Sequence, residues 1–210
     1  MQGWPEVRAW RKAERARLLA QRLALPRAQR EAWNDAITPR LAALLRAREP
    51  LRTIGFYWPF KGEYDPRPLM RALHDAGLRL ALPVVVERAK PLVFRAWWPG
   101  IPMVPGVWNI PVPAGSAAVR PDVLVAPLVG FDARGYRLGY GGGYYDRTLG
   151  APPARPLAIG VGFELAALGT IHPQPHDVPM DLIITPERTL RPERDAAARE
   201  REGMGEACRE

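Results

Sequence analysis

Apolar residues recur at helical spacing in the N-terminal quarter of the chain, first over residues 4–25 and again over residues 33–44. Pro5 suits the first turn of the first helix, whose remaining surface is rich in arginine. In the second stretch, Pro39 either kinks one continuous helix or begins a new helix that Thr38 caps. The pattern therefore predicts an N-terminal helical segment.

Beyond residue 52 the apolar positions form short runs between turn residues, which is the pattern of strands. Strands are predicted at 53–57, 80–86, 92–97, 123–126, 157–161 and 182–185, with 92–97 at a sheet edge and 182–185 as the last strand. A helix is predicted from Asp65 to Gly77, and a short one ends at Leu149. The run Val84 to Val86 is typical of a strand covered on both faces. Residues 101–120, rich in proline and glycine, predict an ordered loop.

Strands that alternate with helices favour an α/β fold of three layers, α/β/α. We expect a mostly parallel, Rossmann-like open sheet with the N-terminal helical segment attached and the ligand cleft at the carboxyl ends of the strands. Residues 1–190 are predicted to form a single domain. Residues 191–210 are charged and nearly free of large apolar side chains, so a mobile tail is expected there.

Composition and charge narrow the class of protein. The 210 residues carry a net charge of +8, which favours acidic partners such as nucleotides, polyglutamates or nucleic acid, although arginines also serve simply to solvate helix faces. No apolar stretch is long enough to cross a bilayer, and residues 1–17 are charged rather than signal-like. The single Cys208 allows neither an internal disulfide nor a cysteine metal site. These features predict a cytoplasmic protein with no membrane partner.

Candidate chemistry is concentrated in residues 131–146, after the predicted strand at 123–126. Glycine occupies four of the five positions from Gly139 to Gly143, with Tyr140 as the exception. Such a loop exposes backbone N–H groups without side-chain obstruction, and the helix predicted after it would direct further N–H groups at the same anion. The glycines therefore predict a phosphate-binding loop.

The residues around the glycines support this interpretation. Arg137 and Arg147 add positive charge, and Asp146 supplies a carboxylate of the kind that holds Mg²⁺ against phosphates. A tight strand-to-helix turn would also need glycine, but it would need neither the tyrosines nor Asp146. The loop lacks the Gly-Lys-Ser/Thr ending of a P-loop and the spacing of a dinucleotide-binding fingerprint.

The string from Arg137 to Asp146 resembles the signature of the 5-formyltetrahydrofolate cyclo-ligases, also called 5,10-methenyltetrahydrofolate synthetases. Phe131, Asp132 and Gly135 match the same pattern. A basic first helix, a glutamate after the first strand and a late His-Asp-Val-Pro segment occur in the expected order, so the resemblance covers roughly residues 8–186.

The resemblance implies an ATP- and Mg²⁺-dependent reaction. ATP phosphorylates the formyl oxygen of 5-formyltetrahydrofolate, a neighbouring nitrogen attacks the formyl carbon, and phosphate departs, which leaves 5,10-methenyltetrahydrofolate, ADP and phosphate. No side-chain nucleophile is required, and the sequence contains no convincing Ser-His-Asp or Cys-His constellation. Arg137 and Tyr144 are expected to position the substrates.

The resemblance also assigns binding residues. Those implied for ATP are Arg11, Arg15, Arg137, Leu138, Gly139, Tyr140, Gly141, Gly142, Gly143, Tyr144 and Tyr145. Those implied for the folate are Trp58, Glu63 and Tyr144, and those implied for the metal are Asp146 and Asp177.

Several alternatives remain open at this stage. Arg8 and Lys12, also four apart, offer a second register for the basic pair, and Asp181 is the alternative to Asp177. Trp58 would equally suit the core, and Glu63 an exposed loop. The tryptophans that flank the proline-rich loop, Trp97, Trp98 and Trp108, suit the wall of a folate pocket or the core. Competing functions are a non-catalytic nucleotide- or RNA-binding protein and a sugar-phosphate enzyme of similar fold. We expect a monomer that takes 5-formyltetrahydrofolate, with or without a polyglutamate chain, and no nucleic acid.

Overall fold

Two long helices begin the chain, and short strands then alternate with short helices. The computed structural model describes residues 3–47, 53–151 and 155–192. The helices are α1 (Trp4–Ala24), α2 (Arg27–Arg46), α3 (Arg67–Asp75) and α4 (Tyr144–Leu149). The strands are β1 (Thr53–Gly55), β2 (Arg79–Val84), β3 (Val93–Trp97), β4 (Met103–Pro105), β5 (Pro111–Pro113), β6 (Ala118–Val119), β7 (Val123–Pro127), β8 (Gly130–Asp132), β9 (Arg137–Leu138), β10 (Leu157–Val161), β11 (Ala167–Leu168), β12 (Leu182–Ile184) and β13 (Thr189–Leu190). Residues 193–210, which contain most of the expected tail, lie outside the described residues.

The N-terminal helical segment is confirmed as two helices. α1 begins where the Gly3 N–H donates to the Glu6 carboxylate at 3.1 Å, which satisfies one of the free donors at the helix start. α2 runs without a break through Pro39. The Thr38 hydroxyl donates to the Asn34 carbonyl one turn earlier, so Thr38 lies inside the helix and caps nothing.

The main sheet has eight strands in the order β13-β12-β10-β7-β1-β2-β3-β6. Its five central strands, from β12 to β2, pair in parallel, and the strands at both edges pair antiparallel. This confirms the predicted α/β fold with a mostly parallel sheet. β1 needs glycine at position 55, because a Cβ there would come within 2.5 Å of Leu124 and 2.8 Å of Phe94.

Alternate residues of the central strands enter two separate cores. Residues such as Ile54, Leu82 and Val125 pack with the buried faces of α2 and α3. The residues between them, such as Ala81 and Leu124, pack on the other face of the sheet with Leu149 of α4. Both faces are therefore covered, as parallel strands require.

Several predicted elements are wrong in detail. β2 ends at Val84, and Val86 is exposed, so the valine run is not covered on both faces as predicted. β3 is not an edge strand, because the two-residue β6 pairs beyond it, and β12 is not the last strand, because β13 pairs with it. The proline-rich stretch contains the β4–β5 hairpin, and β8, β9 and β11 form a small separate sheet. Strands of two or three residues are too short to show a period of two, so the sequence pattern does not reveal them.

The parallel strands all direct their carboxyl ends to one edge of the sheet. The segments that follow β1, β2 and β7 meet there, and they leave a cleft between them. No helix among the described residues is long and apolar enough to span a membrane.

Candidate active site

The cleft at the carboxyl ends of β1, β2 and β7 has a volume of about 1080 Å³. One side is the polar face of α1. The segments after β1 and β2, the tip of the β4–β5 hairpin, the glycine loop and residues 176–177 form the other walls. Every residue that the sequence assigned to ATP, the folate or the metal lines this cleft.

The glycine loop connects β9 to α4. Gly141 has φ of +95° and Gly143 has φ of +63°, conformations that side-chain-bearing residues rarely adopt. Arg15 donates from Nε to the Gly139 carbonyl at 2.7 Å, and Arg147 donates from Nη1 to the Gly142 carbonyl at 2.6 Å. Two guanidinium groups thus bind loop carbonyls and place positive charge beside the backbone N–H groups.

Arg15 is the more buried of these two cations. Burial lowers its pKa, and the neighbouring charge of Arg11 lowers it further, while Asp177 acts in the opposite direction. A partly desolvated cation close to a like charge gains from an incoming anion, because the anion relieves both penalties. The environment of Arg15 is therefore suited to phosphate.

Arg137 and Asp146 form a bidentate ion pair beside the loop, with nitrogen–oxygen distances of 2.9 and 3.2 Å. The Asp146 Oδ1 atom also accepts the Val178 N–H at 3.2 Å. The guanidinium carbon of Arg137 lies 5.3 Å from the centre of the Tyr145 ring. Among the described residues, neither the Arg137 Nε nor the Tyr145 hydroxyl has a hydrogen-bond partner, although both are buried.

Arg11 and Asp177 form a second ion pair, with both side chains less than one-tenth exposed. Arg11 also donates to the carbonyls of Ile171 and His172, each at 3.0 Å, and the Gln174 N–H donates to Asp177 at 2.7 Å. The pair therefore fastens the segment after β11 to α1. The two members of the basic pair have different contacts, because Arg15 binds the glycine loop and Arg11 binds this segment.

The structure separates the alternatives that the sequence left open for these residues. Arg8 lines the cleft and Lys12 does not, which favours the register of Arg11 and Arg15 over that of Arg8 and Lys12. Asp181 lies away from the cleft, where it accepts the Ala158 N–H at 2.7 Å and pairs with Arg155 at 3.1 Å. The reason is that it precedes β12 and so lies at the amino ends of the parallel strands. Asp181 is therefore not a candidate for the metal.

Glu63 is buried, so the alternative of an exposed loop acid is wrong. Its Oε2 atom accepts the Phe60 N–H at 2.9 Å, and its Oε1 atom accepts the Tyr140 hydroxyl at 2.7 Å. The Arg22 Nη2 atom lies 3.8 Å from Oε1. Burial raises the pKa of Glu63, and the hydrogen bonds from Tyr140 and Phe60, together with the charge of Arg22, oppose that rise.

The aromatic residues divide between core and cleft. Trp58 lines the cleft with the Arg67 guanidinium 5.3 Å from its ring centre, although it also packs against the main core. Trp97 is buried in the core, and the exposed Trp98 does not line the cleft. Trp108 lies at the hairpin tip, where its ring meets that of Tyr144 edge-on at 6.0 Å.

Comparison with known proteins identifies the family of the chain. A family model for the 5-formyltetrahydrofolate cyclo-ligase family matches residues 7–186. The chain belongs to this family. The 5-formyltetrahydrofolate cyclo-ligase of Mycolicibacterium smegmatis is 33% identical over 184 residues, which cover 84% of this chain and 93% of that protein. The cyclo-ligase of Escherichia coli K12 is 33% identical over 143 residues, 65% of this chain and 79% of that protein.

Two solved structures share the fold of this cyclo-ligase family member. The NMR structure of the Aquifex aeolicus 5,10-methenyltetrahydrofolate synthetase has a TM-score of 0.76 at 26% identity, and the alignment covers 88% of this chain and 94% of that one. The corresponding synthetase of Mycoplasma pneumoniae has a TM-score of 0.69 at 26% identity, with coverage of 84% and 98%. The family model's match over residues 7–186 includes both walls of the cleft.

Sequence reasoning missed residues that contribute to the cyclo-ligase site, among them Arg22, which is buried beside Glu63 without lining the cleft, and Phe60, which lines it. Arg22 is buried and donates to the carbonyls of Lys61 and Leu128 at 2.9 and 3.0 Å and to the Tyr140 oxygen at 2.6 Å. The sequence spacing could have indicated Arg22, because it lies seven residues after Arg15 and so on the same face of α1. Phe60, whose ring centre lies 5.9 Å from that of Tyr140, carried no comparable signal.

Proposed function

We propose that this protein catalyses the ATP-dependent conversion of 5-formyltetrahydrofolate to 5,10-methenyltetrahydrofolate, with release of ADP and phosphate. The observation that carries the proposal is that one cleft contains a basic glycine loop and a buried carboxylate, joined by the Tyr140 side chain. Relatives that cover most of the chain bear the name of this activity.

The glycine loop is proposed to bind the phosphates of ATP. Its N–H groups and the charges of Arg15 and Arg147 would stabilise the negative charge on the transferring phosphoryl group. The formyl oxygen accepts the phosphoryl group, the neighbouring nitrogen of the same folate attacks the formyl carbon, and phosphate leaves with that oxygen. Because the attack is intramolecular, the protein accelerates it chiefly by positioning the two substrates. Arg137 and Tyr144, which line the loop side of the cleft, are the proposed positioning residues.

The folate is proposed to lie against the other wall. Glu63 has lone pairs left to accept N–H groups of the pterin ring, since each of its oxygens accepts one hydrogen bond in the fold. Trp58 offers an aromatic face on the same wall. The exposed Lys61 and Lys90 at the rim would suit the carboxylates of a polyglutamate chain. The monomeric state and the cytoplasmic location stay predictions.

Asp146 and Asp177 are the residues proposed to hold Mg²⁺. No three or more His, Cys, Asp or Glu side chains among the described residues form a metal site of their own. One or two carboxylates nevertheless fit the group, because Mg²⁺ takes most of its remaining ligands from phosphates and water. When bound, Mg²⁺ would neutralise phosphate charge, and the two carboxylates would exchange part of their pairing with Arg137 and Arg11 for it.

The test is to mix the protein with 5-formyltetrahydrofolate, Mg²⁺ and ATP and to follow the absorbance of methenyltetrahydrofolate. We expect the signal to grow only when ATP is present, with ADP formed in equal amount. No signal with ATP, or the same signal without it, would remove the proposal. Nucleotide binding without any signal would instead support the non-catalytic alternative.

A further inference from the structure

Tyr140 is the one residue of the segment from Gly139 to Gly143 that has a side chain, and that side chain leaves the phosphate loop altogether. Its ring crosses the cleft and packs near Phe60, with ring centres 5.9 Å apart. Its hydroxyl donates to Glu63 at 2.7 Å. The resemblance assigns Tyr140 to ATP, whereas its contacts are with the wall assigned to the folate.

The Tyr140 hydroxyl bridges Arg22 and Glu63. Arg22 donates to the Tyr140 oxygen at 2.6 Å, and the Tyr140 hydroxyl donates to the Glu63 carboxylate at 2.7 Å. Arg22 and Glu63 are 3.8 Å apart, beyond direct hydrogen-bond range. Arg22 is fixed independently by the carbonyls of Lys61 and Leu128, so the position of Tyr140 decides how the cation acts on Glu63.

The backbone of Tyr140 belongs to the loop whose carbonyls bind Arg15 and Arg147. Any change in the loop conformation on phosphate binding therefore moves the hydroxyl relative to Glu63. Conversely, a folate that holds Glu63 in place favours one position of Tyr140. Two ligands that favour the same arrangement of a shared group strengthen each other's binding, and by linkage the effect is equal in both directions.

We propose that Tyr140 is a positioning residue that couples the nucleotide site to the folate site through its hydrogen bond to Glu63. This inference rests on the proposed function, since it requires that the cleft bind both substrates. Tyr140 acts through Glu63 and takes no part in the chemical step.

Binding measurements test the coupling directly. The affinity for 5-formyltetrahydrofolate is measured by titration calorimetry with and without a non-hydrolysable ATP analogue and Mg²⁺, for the wild type and for Tyr140→Phe. We expect the analogue to tighten folate binding in the wild type. Loss of one hydrogen bond to a charged group corresponds to about one to two orders of magnitude in an equilibrium constant, so that enhancement should fall by about tenfold or more in the variant.

Tyr136→Phe is the matched control. It removes a tyrosine hydroxyl from the same hairpin region, and Tyr136 does not line the cleft. We expect the control to keep the wild-type coupling. The double variant Tyr140→Phe with Glu63→Gln supplies a second test. Because both changes remove the same contact, their effects on the enhancement of folate binding should not be additive.

The pH dependence of folate binding separates a positioning role from a merely structural one. The groups that face Glu63 are Arg22 from α1, Tyr140 from the loop, Tyr57 from the segment after β1 and Tyr145 from α4. Burial raises the pKa of all three tyrosines, so Glu63 is the one of these groups that titrates in the acidic range. The Tyr140 hydrogen bond lowers the pKa of Glu63, so its loss should move the acid limb of folate binding to higher pH.

Each outcome decides the question. Binding of both ligands to the wild type with no mutual enhancement would overturn the coupling and leave the proposed function intact. The same conclusion follows if Tyr140→Phe keeps both the enhancement and the wild-type acid limb, or if it weakens ATP binding alone. Failure of the wild type to bind either ligand would overturn the proposed function itself.

Discussion

The ion pair of Arg11 and Asp177 allows a sharp prediction about stability. Both side chains are less than one-tenth exposed, and Arg11 would keep only carbonyl partners if the charge of Asp177 were removed. Breaking a buried pair by removing one partner leaves an uncompensated buried charge and costs about 3–5 kcal/mol. Asp177→Asn keeps an oxygen that can accept the Gln174 N–H, so we expect the lower end, about 3 kcal/mol.

The measurement is urea unfolding at neutral pH without nucleotide or metal, and Glu14→Gln is the matched control. Glu14 pairs with Arg17 on the same helix, and Arg17 is about half exposed. Exposed pairs contribute about 0–1 kcal/mol, so the control should unfold close to the wild type. With an m-value of about 2 kcal/mol per molar, the Asp177 variant should unfold roughly 1.5 M earlier.

One result would refute the stability argument, and a second would exclude Asp177 from the metal site. If Asp177→Asn is no less stable than Glu14→Gln, the pair is not a buried anchor for the segment after β11. If Asp177→Asn is less stable without ligands but Mg²⁺·ATP raises its stability to that of the wild type, the bound ligands replace the carboxylate. A role of Asp177 in metal binding is then excluded.

Four further predictions concern residues of the cleft. Gly142→Ala should lower ATP affinity about tenfold, because its Cβ would lie 2.7 Å from the Tyr144 ring, whereas Gly169→Ala, whose Cβ meets nothing within 4 Å, should not; calorimetry of both variants checks this. Asp146→Asn should raise the Mg²⁺ concentration needed for half-maximal activity, and an unchanged Mg²⁺ titration would remove Asp146 from the metal site. Glu63→Gln should weaken folate binding by about one to two orders of magnitude with ATP affinity nearly unchanged, and the reverse pattern would contradict the assignment. Burial raises the pKa of Glu63 above its ordinary value of 4.5. The free energy of unfolding should therefore be highest below pH 4.5 and should fall as pH rises through the folded-state pKa of Glu63. Urea unfolding of Glu63→Gln should show no such fall in stability with pH.

The sequence revealed the parts of the fold that depend on local pattern. Apolar runs predicted the central parallel strands, and the cluster of glycines predicted the loop that lines the cleft. The glutamate after β1 also lies where a residue beyond a strand end is expected. Each of these signals is contained within a few consecutive residues.

The parts that escaped prediction depend on pairing between distant residues. Arg11 and Asp177 are separated by 166 positions, and Arg22 and Tyr140 by 118, so no local pattern indicates either contact. The small sheet that contains β9 was missed for a related reason. Its strands of two or three residues are specified by their partners rather than by their own periodicity.

The arginines of α1 explain why charge alone could not indicate function. Arg17 is exposed and pairs with a neighbour on the same helix, as a solvated basic face requires. Arg11, Arg15 and Arg22, on the opposite face, each bind a different wall of the cleft: the segment after β11, the glycine loop and the segment around Glu63. α1 therefore fixes the positions of three walls relative to one another and supplies positive charge to the cleft between them. A substitution of any of these three should disturb the walls as well as the charge, whereas a change at Arg8, which lines the cleft and is exposed, should alter the charge alone.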